Sequence, residues 1–211
     1  DLTMIQLEEY IRQRLKEPSP SKLGSLMKPK TAKEEINLLR NILNRALRHE
    51  IISRMPVAYF PSVKVDNVRK RIFTEDEYQR LSDACPLWLR RIVIMAYWTG
   101  MRQKEIIQLE WNAVDLKAGF IRLKAAQTKT DEARSVRLSP QVLQMIKEIP
   151  KAPHTRHVFL SVTQKPIRRW GSYQKKVWNE SLKRAEIEDA VFHDMRHDFV
   201  TKAMRRGNPA Y

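Results

Sequence analysis

Cysteine is nearly missing: Cys85 stands alone among 211 residues. That excludes an internal disulfide and fits a reducing compartment, with Cys85 read as a small core residue. Glycine is almost as scarce, and the five present never approach the spacing of a phosphate-cradling loop, which excludes that class of nucleotide chemistry. Long apolar runs are lacking too. The longest, Ile92 to Trp98, is far too short to span a bilayer, and no charged-then-apolar leader opens the chain, so a soluble, intracellular protein without a membrane partner is expected. Acidic residues are outnumbered, 24 against 40 Lys and Arg, for a net charge of +16. Such a field attracts polyanions, of which nucleic acid is the commonest that a soluble protein meets. The basic residues are spread along the chain rather than gathered on one amphipathic helix, which argues against a membrane-surface role.

What is present organises into two basic parts. Met4, Leu7, Ile11 and Leu15 repeat at helical spacing until Pro18 and Pro20 stop them. Thr31 with Glu34 reads as a capping box opening a long helix with a buried stripe of Ile36, Leu39, Leu43, Leu47 and Ile51. The stretch PVAYFPSVKVDNVRKR, Pro56 to Arg71, reads as an extended connector. The domain boundary is placed within it, giving a helical domain over residues 1–65 and a second domain over 66–211. The second domain opens with another capping box, Thr74 with Glu77, then an apolar helix, LWLRRIVIMAYW, closed by Thr99 and Gly100. A short helix, MRQKEIIQL, follows. The period then changes to alternation: FIRL and RSVRLS read as two strands joined by a turn around Thr128 to Glu132, with Lys129 near the tip. Helices are expected over Pro140 to Ile149 and Trp170 to Ile187, with FHDMRHDF opening a last one. The fold class is thus mainly α with a small antiparallel β-hairpin or sheet, and the five tryptophans are read as core.

The cluster FHDMRHDF raises the question of chemistry. His193 and His197 are spaced i, i+4, but Asp194 stands where the zinc-protease pattern requires Glu, and no third ligand of the expected kind is near. No GxSxG elbow is present either. Phosphodiester chemistry without a metal or other cofactor remains. It needs fixed positive donors aimed at the non-bridging oxygens, and arginine suits this because its planar fork binds two oxygens at once. Two arginines, a histidine and a lysine from separate segments would build such a pocket.

TGMRQKEI, then LEW and VDL, then the lysine in QTKTDEARSVRLS, then FHDMRHDF, resemble in order and separation the catalytic domain of the tyrosine recombinases, the phage-integrase family. The resemblance covers roughly residues 70 to 207. The first 65 residues resemble part of that family's helical core-binding domain through their helix pattern and the stretch NLLRNILNRALRHEII. The resemblance implies that Arg102 and Arg196 clamp the scissile phosphate. It makes Lys129 the general acid toward the departing 5′ oxygen, with Lys124 the nearest competitor, and has His193 assist the nucleophile's proton transfer. Glu105 is expected to orient the site, and His197 to pack or hydrogen-bond beside it. Lys70, Arg71, Arg168, Arg169, Lys175 and Lys176 are expected to contact DNA phosphates.

The resemblance further implies a second histidine and a tyrosine nucleophile beyond the HxxR motif. Tyr211 comes too soon after Arg196 to match that pattern. The chain is therefore expected to lack the nucleophile, as a truncated catalytic domain that does not cleave DNA by itself. The implied activity of the parent is site-specific recombination through a 3′-phosphotyrosyl intermediate. Its partners would be double-stranded DNA with inverted half-sites and further copies of the protein, as a tetramer, in the cytoplasm in association with the nucleoid. A non-catalytic DNA-binding descendant and a type IB topoisomerase-like enzyme are the alternatives.

Overall fold

The computed structural model describes residues 2–20, 24–65, 71–124 and 133–207. The chain divides into two compact units, Asp1–Val68 and Arg69–Tyr211.

The first unit is built on α1 (Met4–Arg14) and α2 (Pro29–Arg48). Thr3 caps α1 reciprocally: its hydroxyl accepts from the Gln6 backbone N–H at 3.3 Å while the Gln6 side chain accepts from the Thr3 N–H at 2.8 Å. The Thr31–Glu34 box expected to open the second helix does not form. Helix α2 begins three residues earlier, with Lys28 at the cap position and Pro29, which has the φ of a first helical residue and no N–H to satisfy, as its first residue. Its expected apolar stripe also runs too far, since the helix ends at Arg48 and Ile51 lies beyond it, 76% exposed. Leu7, Ile36 and Val57 form a small core, with Ile11, Leu39 and Phe60 against it. Part of the expected connector thus belongs to this unit. The two helices are tied by Glu35, which accepts from Arg14 Nη2 at 2.7 Å and from the Tyr10 hydroxyl at 2.8 Å.

The second unit is arranged around α4 (Leu87–Thr99), which is buried on most of its surface by Leu89, Ile92, Val93, Met95 and Ala96. Before it lies α3 (Glu75–Ala84), opened by Thr74, whose hydroxyl accepts from the Glu77 N–H at 3.1 Å while Glu77 accepts from the Thr74 N–H at 3.0 Å. After it come α5 (Gln103–Ile107), a single 3-10 turn, and a three-stranded antiparallel sheet. Its strands are β1 (Val114–Asp115), β2 (Phe120–Leu123) and β3 (Arg134–Arg137), in the order β1-β2-β3. The two residues of β1 escape the sequence pattern because alternation cannot be read over so short a run. Ile121 pairs with Val136, and both face the core while Arg122 and Arg137 point outward. Helices α6 (Pro140–Lys147), α7 (Ser172–Arg184) and α8 (Asp194–Arg205) complete the unit. Cys85 is buried in this core, as is Trp178, whereas Trp88, Trp98, Trp111 and Trp170 pack against it only partly buried. Each fully buried Leu or Ile contributes about 1.5–3 kcal/mol, so a core of this size holds the turns that carry the site. Among the described residues no helix is long and apolar enough to cross a membrane.

Candidate active site

The first half of the site is the turn between α4 and α5. Thr99, fully buried, donates its hydroxyl to the Met95 carbonyl at 2.5 Å and accepts from the Met101 N–H at 3.3 Å. Gly100 then ends α4 in the left-handed region, at φ +60°. A side chain at Gly100 would overlap the Phe199 ring of α8, so this turn is pressed directly against the last helix. Arg102 follows, half-buried, at the N-terminal boundary of α5. Glu105 takes hold of it twice: Oε2 accepts from the Arg102 backbone N–H at 2.8 Å and Oε1 from Nη1 at 2.9 Å. The Glu105 side chain is only 2% exposed.

The second half is the start of α8. Phe192 is wedged between Trp170 and Trp178, with ring centroids at 4.8 and 5.5 Å. The buried Asp194 accepts from the Val191 N–H at 2.8 Å and closes the turn entering the helix. Phe192, Asp194, Met195 and Asp198 are the buried residues of this stretch. Their helical spacing leaves His193, Arg196 and His197 on the opposite face.

The two halves meet. Arg196 Nη1 donates to the carbonyl of Gly100, two residues before Arg102. The rings of His193 and His197 stand edge to face, centroids 4.7 Å apart. The His193 imidazole is held below its ordinary pKa, first by burial and then by the positive fields of His197 and Arg196, against an opposing pull from Asp194, with Arg102 adding the smallest contribution. Arg102 and Arg196, far apart in sequence, therefore bear on one imidazole. A depressed pKa favours the neutral imidazole, the state able to accept a proton.

Lys129, Lys70 and Tyr211 lie outside the described residues, and so does most of the β2–β3 connection. Lys124 is exposed just beyond β2. Among the residues expected to touch DNA, Arg168, Arg169, Lys175 and Lys176 are exposed, the first two before α7 and the others on it. Lys176 sits loosely, 3.9 Å from Glu180. Arg71 is more occupied: it is half-buried, bonded to Glu77 at 2.7 Å and placed over the Phe73 ring at 5.3 Å.

Sequence reasoning missed Arg134. Its Nη2 lies 2.5 Å from Oε2 of Glu105, so one buried carboxylate holds two guanidinium groups. The signal was available: Arg134 is two residues from the buried Val136 on β3 and hence on its inward face, where a cation requires a counter-charge. Also missed was a polar cluster on the inner side of α8. Lys202 Nζ lies 2.8 Å from the buried Asp198 Oδ2, in an ionic contact too poorly angled for a full hydrogen bond, and donates to the Tyr97 hydroxyl at 2.9 Å. Tyr97 in turn donates to Glu75 at 3.0 Å. Burial pushes the Asp198 carboxyl up, against the opposing pull of Lys202.

Comparison with known proteins agrees with this architecture. The model of the phage integrase family matches residues 71–210. The integrase of Salmonella phage P22 is 28% identical over 218 residues, covering 96% of this chain and 54% of the relative. A shufflon-specific DNA recombinase of Escherichia coli is 30% identical over 212 residues, covering 99% and 52%. The chain thus spans about half the length of these curated relatives. A lambda integrase solved as a tetramer bound to a Holliday junction superposes with a TM-score of 0.73 at 18% identity, covering all of this chain and 62% of that one; at that identity the likeness concerns the fold. The family match takes in the TGMRQKEI turn, the sheet and the FHDMRHDF helix together, and the chain belongs to the phage integrase family.

Proposed function

We propose that the protein containing this chain is a site-specific DNA recombinase that cleaves and rejoins strands through a covalent tyrosyl intermediate. The observation that carries this reading is the hydrogen bond of Arg196 to the Gly100 carbonyl, which sets the helix bearing His193 and Arg196 against the turn bearing Arg102. Two guanidiniums there offer planar, permanently charged donors for the non-bridging oxygens of one phosphate, where charge accumulates as the phosphorus becomes five-coordinate. The neutral imidazole of His193 accepts a proton from the attacking hydroxyl. Lys129, which follows β2 and precedes β3 in sequence, protonates the departing 5′ oxygen, a poor leaving group as an alkoxide. His197 braces the His193 ring by edge-to-face contact. The nucleophilic tyrosine is assigned to no residue of this chain.

The exposed bases Arg168, Arg169, Lys175 and Lys176, with Lys70 and Arg71, track the DNA backbone and supply affinity without reading sequence. Residues 1–65 act as a DNA-binding helical domain and residues 66–211 as the catalytic one. The family relationship and a lambda integrase neighbour solved as a tetramer on a Holliday junction support self-association on DNA; paired inverted half-sites and association with the nucleoid complete the reading.

The test is covalent trapping. Full-length protein incubated with a nicked duplex carrying its half-site, in EDTA, is expected to form a protein–DNA adduct stable to denaturant. Absence of an adduct leaves a non-catalytic DNA-binding protein; relaxation of supercoils at no defined site indicates a topoisomerase instead.

A further inference from the structure

Glu105 poses an electrostatic problem for the proposed site. It holds Arg102 by side chain and backbone at 2.9 and 2.8 Å, and an arginine so paired is close to neutral as seen by a phosphate. Local dielectric screening by water is weak there, because the carboxylate is only 2% exposed. Orientation has been gained at the cost of the charge that makes Arg102 useful.

Arg134 resolves the problem. Its guanidinium meets the same Glu105 Oε2 at 2.5 Å and is itself partly open, 25% exposed against 28% for Arg102. The three side chains form an Arg–Glu–Arg group with one net positive charge rather than none. Arg134 is also the first residue of β3, directly after the β2–β3 connection in which Lys129 lies. One carboxylate therefore ties the turn bearing Arg102 to the first residue of β3.

We propose that Arg134 is a positioning residue of the active site: by sharing Glu105 with Arg102 it keeps the pair net positive toward the scissile phosphate. This inference rests on the recombinase reading. A residue that only filled space would be replaceable by any side chain of its size, whereas one acting through charge is replaceable only by another cation or by removal of the opposing anion.

The experiment uses full-length protein on the nicked duplex, with cleavage rate measured at saturating DNA. Arg134→Gln is expected to slow cleavage about 10- to 100-fold, the range set by small misplacements of a catalytic group, while the dissociation constant for DNA changes less than about threefold, as for loss of one charge outside the direct contacts. Arg134→Lys is expected to recover most of the rate. Adding Glu105→Gln to Arg134→Gln, which keeps an oxygen acceptor for Arg102 but removes the anion, is expected to raise the rate above that of Arg134→Gln alone. Arg134→Gln cleaving within about threefold of the unaltered protein, or a double variant no faster than Arg134→Gln, overturns the inference. Arg102→Ala is run beside them. If it cleaves normally the recombinase reading fails; if it is inactive while Arg134→Gln is normal, only the role of Arg134 fails.

Discussion

Gly100→Ala is the sharpest structural perturbation available, because two independent effects fall on one atom. The added Cβ must occupy a backbone at φ +60°, which costs a non-glycine residue about 1–3 kcal/mol. It must also enter the space of the Phe199 ring, whose Cγ lies 2.8 Å from the ideal Cβ position, and overpacking of this kind costs about 1–3 kcal/mol. The neighbour cannot simply swing away, since α8 is anchored by Met195 and Asp198 on its buried side. Together the effects are expected to destabilise the protein by about 2–6 kcal/mol, a fall in melting temperature of roughly 4–24 °C. Urea unfolding followed by circular dichroism measures it. The two parts separate in a cycle with Phe199→Ala: the ring clash is removed in the double variant, leaving the Cβ of residue 199 at 3.2 Å, while the backbone cost stays. Gly100→Ala is therefore expected to be about 1 kcal/mol or more cheaper in the Phe199→Ala background. A loss below about 1 kcal/mol in the single variant, or no coupling in the cycle, refutes the close approach of this turn to α8.

Three further outcomes are expected. Burial and the cations around His193 lower its pKa, so cleavage by the full-length protein is expected to hold steady from pH 8 down to about 6.5, the ordinary histidine value, and to fall only below it as imidazolium forms. His193→Gln flattens that acidic limb, and a fall already complete at pH 7 contradicts the assignment. The Asp198 carboxyl is raised by burial, so the folded state binds its proton more tightly than the unfolded chain. That contribution is present below an unfolded pKa of about 3.9 and is lost as pH rises through the folded value. Denaturant unfolding of Asp198→Asn against the unaltered protein is expected to shift in favour of the variant between acid and neutral pH; a pH-independent difference rules this out. Finally, Arg168→Ala and Lys175→Ala are each expected to reduce the salt slope of DNA binding by about one, and an unchanged slope identifies an idle surface charge.

Local signals were the ones legible in advance. The Thr74–Glu77 box, the apolar run of α4 and its stop at Gly100 depend on residues within a few positions of one another, and each is present where its pattern lay. The burial rhythm around FHDMRHDF likewise separates the face of Phe192 and Met195 from that of His193 and Arg196. Competition between local signals was harder to read. Thr31 and Glu34 have the right spacing for a cap, yet Pro29 starts the helix first and leaves them inside it. Pairings between distant segments were the least visible. Arg134 and Glu105 are 29 positions apart, and only the inward alternation of β3 hinted that this arginine needed an acid. Asp198 and Lys202, read alone, are an ordinary surface i, i+4 pair; in the fold the aspartate is buried while the lysine stays partly exposed.

Central to the proposed recombinase is the reading that Arg102 and Arg196 grip the same scissile phosphate. Single-turnover cleavage of a nicked duplex by full-length protein, at DNA concentrations that saturate every variant, tests it most directly. Arg102→Ala and Arg196→Ala are each expected to cut the rate by about 100- to 1,000-fold, the usual loss for one transition-state donor, while DNA affinity falls by less than about tenfold, as for one phosphate contact among many. Cleavage by either variant within about threefold of the unaltered protein, or a loss explained wholly by weaker binding, contradicts the shared-phosphate site.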